Sequence, residues 1–255
     1  MNKHQQGATL IIVLMLLVGI IIIGTFAIRQ SITSLRVATN SQAQQLFLQN
    51  ADAGFFNAER QESLVQSFAA NGMFGYINGA QNKDKELVFC FRGDQTRFFD
   101  LTKASLIYWA AGQQAPTNNQ LGLDGYCKTD AATGNFFTSG RKVVMTQVAV
   151  KFSSQSESDP FYGVREGTDD QTVKFENAKP LKIFTTSISP HMTTASKSAI
   201  NNCFSNHMHE VTIPEGTTVT TANAANKRTV AECLEDLNVP FSAYVTEYVL
   251  AQDFE

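Results

Sequence analysis

The sequence predicts an α+β protein, a long N-terminal helix that spans a membrane in its first half and packs on a C-terminal antiparallel β-sheet domain. Three observations carry this expectation. The stretch Ala8–Ile28, ATLIIVLMLLVGIIIIGTFAI, contains no charge. No proline appears before Pro116. Beyond residue 85, short apolar and alternating runs bounded by turn residues read as strands.

At about 1.5 Å of rise per residue, Ala8–Ile28 forms roughly 31 Å of helix, which matches a hydrocarbon core of about 30 Å. An ordinary secretory signal has an apolar core of only about 7 to 15 residues followed by a small-x-small cleavage site. No convincing site of that kind follows Ile28, so the run reads as an anchor. Lys3 and His4 precede it and Arg29 and Arg36 follow it, which leaves the positive-inside rule weakly informative. Gly19 and Gly24 suit close approach of neighbouring helices or merely bending.

With no turn signal after the span, a single helix is expected from about Thr9 to Ala70. In its second half Ala43, Phe47, Ala51, Phe55 and Ala58 recur at spacings of three and four, an apolar stripe that needs a cover. Asn71 and Gly72 are read as a left-handed helix stop. Met73–Gln81 is then a connecting loop.

The expected strands are Glu86–Phe91, Arg97–Leu101, Lys142–Phe152, Leu181–Ile188 and Ala243–Ala251, within a sheet of four to six. Leu106–Gly112 fits a strand or a short helix. Lys142–Phe152 alternates, with Val144, Thr146 and Val148 on one face and Val143, Met145 and Gln147 on the other. Ala222–Leu237 has helical spacing through Val230, Cys233, Leu234 and Leu237. The segments around 113–119 and 153–170 read as polar surface loops, and a large insertion fits between Ser189 and Pro240.

The chain has 255 residues and a net charge of −3. Its basic residues are scattered, so nucleic acid is not an expected partner. Cys90, Cys127, Cys203 and Cys233 all lie beyond the span, and no two form a C-x-x-C pair. An even count in an exported domain favours disulfides. Three pairings are open, and neighbour pairing would close loops worth about 4 kcal/mol each in the chain-entropy model.

Searches for chemistry return little. His207 and His209 would face one way in an extended stretch, as two ligands of a zinc site do. No third ligand is assigned, and they are read as exposed loop histidines. Glu157, Asp159, Asp169 and Asp170 offer oxygen ligands but lack the D-x-D-x-D-G order of a calcium loop, and read as a solvated loop. Hydrolase, phosphate-loop and dinucleotide motifs are missing from the sequence. The expectation is therefore no enzyme, no catalytic residue, no metal and no cofactor. The pairs Phe55 and Phe56, Phe98 and Phe99, and Phe136 and Phe137 are read mainly as core, with an exposed pair serving as a subunit contact.

MNKHQQG followed by ATLIIVLMLLVGIII resembles the class III leader and helix of type IV pilins. More narrowly, QQGATLIIVLMLLV, RQSITSLRVATN and QAQQLFLQNADAGF resemble the N-terminal region of PilX-type minor pilins. The resemblance covers about a quarter of the chain. It implies a pilin-like fold with a leader over 1–7, a long helix over 8–72 and a β-rich domain over 73–255. It further implies cleavage between Gly7 and Ala8 by a prepilin peptidase and methylation of the new N-terminus. At the fifth residue after the cut most pilins carry a glutamate, and here Ile12 stands instead.

The implied function is a minor pilin that helps initiate pilus assembly, sits at or near the filament tip and supports twitching motility and adhesion. Its partners would be the other minor pilins, the major pilin and a large tip adhesin. It would start in the inner membrane with an exported C-terminal domain and end at the cell surface. A different reading also fits the anchor: a single-pass envelope protein whose exported domain binds or senses a ligand.

Overall fold

The computed structural model describes residues 5–60, 64, 66–78, 80–82, 84–130, 135–152 and 179–250. The predicted acidic loop at 153–170 and the basic leader residues Lys3 and His4 lie outside them. The chain divides into two compact units, Met1–Gln45 and Leu46–Glu255.

The first unit is helix alone. Helix α1 runs Gln5–Glu59, and its residues up to Gln45 form this unit. Among the described residues, α1 is the helix long and apolar enough to cross a membrane. The predicted single helix to Ala70 is interrupted: α1 stops at Glu59, and Leu64, Gln66 and Ser67 are again helical after the break at Arg60. A separate short helix, α2, follows over Met73–Ile77.

Gly72 is also not a left-handed stop. It caps the start of α2 with φ of −81°. Glycine is required there for a different reason, since a Cβ would sit 2.2 Å from the carbonyl oxygen of Gln66. The expected loop over Met73–Gln81 is therefore largely helical, and it buries Met73, Phe74 and Ile77.

The second unit is built on one antiparallel sheet of β1 (Glu86–Phe91), β2 (Ala104–Ile107), β3 (Met145–Phe152), β4 (Lys179–Ile188) and β5 (Phe241–Leu250), in the order β2-β1-β3-β4-β5. The expected strand over Arg97–Leu101 is not formed. Phe98 and Phe99 instead pack edge-on against Phe89, with centroids 5.2 and 5.1 Å away. The strand starts only after a 3₁₀ turn at Leu101–Lys103. Of the ambiguous Leu106–Gly112, only Leu106 and Ile107 join this strand, Tyr108 forms an isolated bridge to Thr117, and Ala111 and Gly112 are turn.

All eight residues of β3 are buried. The strand is shorter than the predicted Lys142–Phe152, since Val143 and Val144 precede it and Val143 is exposed; from Met145 onward the alternation sorts the side chains between two covered faces, the pattern of a sheet enclosed on both sides. Leu87, Phe89, Val148, Val150, Leu181 and Ile183 pack with Ala58 and with α2 on one face. Gly54 brings the C-terminal part of α1 close to this face, since a Cβ there would lie 3.1 Å from Thr185 Cγ2.

On the other face Cys90, Met145 and Ile188 pack against helices α3 (Lys197–Asn206) and α4 (Val230–Asp236). The expected helix over Ala222–Leu237 is split. Thr221–Lys227 is 3₁₀, and α4 begins afresh at Thr229, whose side chain and Glu232 form a capping box.

Candidate functional site

The structure presents two different surfaces, one in each unit. In the first unit, Gly7 and Ala8 lie in the opening turns of α1, and Ile12 is 58 % exposed. From Leu10 to Ile28 the large apolar side chains are exposed all round the helix. A helix that is apolar on every side belongs in lipid or among other helices, not in water. A Cβ added at Gly19 or Gly24 would meet nothing within 4 Å. The packing of this chain therefore gives neither glycine a reason.

Polar groups along this helix are partly self-satisfied. The Thr25 hydroxyl donates to the Ile22 carbonyl at 2.8 Å, Thr33 to Arg29 at 3.1 Å, and Thr39 to Leu35 and Arg36 at 3.0 Å. Such back-bonding lets a hydroxyl sit in an apolar helix without an outside partner.

In the second unit the cysteines fall into the neighbour pairs. Cys90 is bonded to Cys127, with Cα atoms 5.0 Å apart, and Cys203 to Cys233, at 5.6 Å. The first ties the loop after β2 to β1, and the second ties α3 to α4. Arg92 closes over the first pair's surroundings. Its guanidinium lies 4.0 Å above the Phe136 ring, and Nη2 donates to the Asp124 carbonyl at 2.6 Å. Burial pulls the Arg92 pKa down, opposed by Asp94 and Asp124.

Two predicted histidines meet different fates. His207 Nδ1 lies 3.0 Å from the Arg228 carbonyl. The His209 side chain is only 4 % exposed, which corrects the expectation of an exposed loop residue. Its backbone N–H donates to Glu86 Oε2 at 2.8 Å, and its Nδ1 lies 3.1 Å from the same oxygen. The Glu210 N–H donates to Glu86 Oε1 at 2.8 Å.

Beside Glu86 in register, Lys151 donates through Nζ to the Glu210 carbonyl at 2.9 Å and to the Thr212 hydroxyl. Lys182 Nζ completes the group, 3.0 Å from Glu210 Oε2. Glu86 and Lys151 are fully buried. These contacts pin residues 209–212 across the sheet. Among the described residues, no group of three His, Cys, Asp or Glu side chains is placed to hold a metal ion.

The phenylalanine pairs also divide. Phe136 is buried, and Phe55, Phe98, Phe99 and Phe137 are partly buried against the core. Phe56 is 67 % exposed, so only one member of its pair faces outward. Sequence reasoning missed α3 and the Glu86 network. A charged residue opening the apolar run ELVFCF was the available signal for the second.

Residues 6–56 match the family described as PilX N-terminal. Neither a curated protein nor a solved structure matches the chain.

Proposed function

From the match of residues 6–56 to the PilX N-terminal family, we propose that this chain is a non-catalytic type IV minor pilin of the PilX type that helps start pilus assembly and sits at or near the filament tip. Ala8–Ile28 first anchors the chain in the inner membrane, with the C-terminal domain exported. A prepilin peptidase cuts between Gly7 and Ala8, and the freed helix then packs among the helices of other minor pilins and the major pilin. The disulfide-bonded domain stays outside the bundle, where it supports motility and adhesion and presents a large adhesin.

The observation that carries this reading is Ile12, within the matched segment, where the resemblance leads one to expect a glutamate. An ionised carboxylate at the middle of an apolar bundle costs about 2.5 to 3.5 kcal/mol on insertion scales unless a partner meets it. Ile12 needs no partner. A subunit that cannot offer the acid to a neighbour already in place is suited to be the first one placed.

Mass spectrometry of the mature protein tests the processing step. An N-terminus at Ala8, methylated, is expected, and retention of the first seven residues in cells that hold the peptidase would overturn the reading. Deleting the gene is expected to reduce surface pili and twitching. Unchanged piliation would sink the initiation role.

A further inference from the structure

From Gln5 to Ala51, α1 contains no acidic residue, and its charges are Arg29 and Arg36. Both lie on exposed turns beside Ile32, Leu35 and Val37, which are 48 %, 65 % and 65 % exposed. Seven positions are nearly two helical turns, so the two guanidinium groups share one face about 10 Å apart. Thr25, Thr33 and Thr39 return their hydroxyls to the helix itself. A guanidinium with five N–H donors has no such option.

A second copy of this chain laid alongside brings the same two arginines. The first acid in the sequence is Asp52. It would reach Arg36 of a neighbour only after an axial shift of about 24 Å, and Arg29 after more. With no shift, or with a shift of about 10 Å that brings Arg29 against Arg36, self-packing sets cation against cation in surroundings that screen charge poorly.

We infer that this stretch of α1 is a heterotypic docking face. It takes a different subunit, one whose apolar helix carries a carboxylate at the level of Arg29 or Arg36, and it disfavours its own copy. This rests on the reading of α1 as a filament helix and adds the partner's chemistry: an acid-bearing helix, recognised by fork-shaped, charge-assisted hydrogen bonds.

The test uses the full chain in phosphatidylcholine vesicles and two fluorescent synthetic helices of leucine and alanine. One carries a single glutamate at the level of Arg29 and the other a glutamine. Fluorescence anisotropy is expected to show about tenfold tighter binding of the glutamate peptide. The double variant Arg29→Gln, Arg36→Gln should erase that preference. Energy transfer between labelled copies should rise in the same variant as self-repulsion is lost.

Equal binding of the two peptides overturns the inference, as does unchanged self-association in the double variant. Loss of the glutamate preference in phosphatidylglycerol vesicles also overturns it, since lipid phosphates would then hold the arginines. Both the cut and uncut chains carry Arg29 and Arg36. A failure of the processing step would therefore leave this readout unchanged and stay distinguishable from it.

Discussion

On one continuous helix, Leu14 is 61 % exposed and Phe47 is 1 % exposed. Both are large apolar residues in the same backbone conformation, so helix propensity does not separate them. What differs is the surroundings: Phe47 is buried within the second unit, and Leu14 is exposed in the first. The same contrast runs through the polar groups. In the second unit even a buried carboxylate and a buried ammonium find partners within the chain, whereas Arg29 and Arg36 look outward. One region buries its large apolar and charged groups, and the other exposes them.

That contrast is sharpest where the second unit depends on bonds between distant parts of its sequence. Replacing Cys90 and Cys127 by serine removes the closure of a loop with a sequence separation of 37. The chain-entropy model sets the expected loss at about 4 kcal/mol, a large fraction of a domain's stability. Urea unfolding of the full chain in detergent, followed by fluorescence of Trp109, would read it. A midpoint unmoved by the double substitution would mean that packing alone completes this unit.

A smaller effect is expected at the buried network. Glu86→Gln keeps one acceptor oxygen but turns an amide NH₂ towards the backbone N–H of either His209 or Glu210, and it removes the negative charge beside Lys151. The expected cost is about 2 to 3 kcal/mol, the range for a hydrogen bond to a charged group together with a buried donor left unpaired. Proteolysis near residues 209–212 should rise in parallel. If stability falls and protection of that segment does not, the network acts through the sheet and not by pinning residues 209–212.

Strand β3 shows how far the sequence could be read. Its alternation was visible, and it sorted the side chains into two sets as the fold requires. Burial of both sets was not visible, because the covers come from far along the chain: Gln147 Nε2 donates to the Phe204 carbonyl, and Lys151 reaches Glu210 and Thr212. Local signals were also overlooked. Thr229 and Glu232 are spaced as a capping box, which is why the expected helix over Ala222–Leu237 breaks where it does.

The end of α1 at Glu59 carries no proline or glycine signal. Phe98 and Phe99 suggested a strand by composition, yet their rings serve tertiary packing against Phe89. The long apolar helix was legible because it is one contiguous segment. The Glu86 network was not, since its members are joined only by the fold.

Alkaline pH separates the two regions more gently. Burial, and then the Glu86 carboxylate, raise the Tyr126 pKa above the ordinary phenol value of about 10. A raised folded-state pKa means that the neutral form is favoured by folding. The associated stability is thus fully present below about pH 10 and is lost as pH rises beyond it. Urea midpoints should hold level up to that point and then fall, and Tyr126→Phe should remove part of the fall. An identical alkaline decline in both proteins would assign it to other groups.

The smallest expected effect is the one that bears most directly on the comparison. Leu14→Ala deletes a large apolar side chain, which inside a packed core costs about 2 to 5 kcal/mol. Leu14 is 61 % exposed and belongs to the first unit, so unfolding of the second unit should change by no more than about 0.5 kcal/mol. The loss should appear instead in association: the variant's α1 should bind apolar partner helices in vesicles more weakly than the parent while the midpoint of the second unit stays put. A midpoint that moves by as much as a core truncation would overturn the contrast drawn between Leu14 and Phe47.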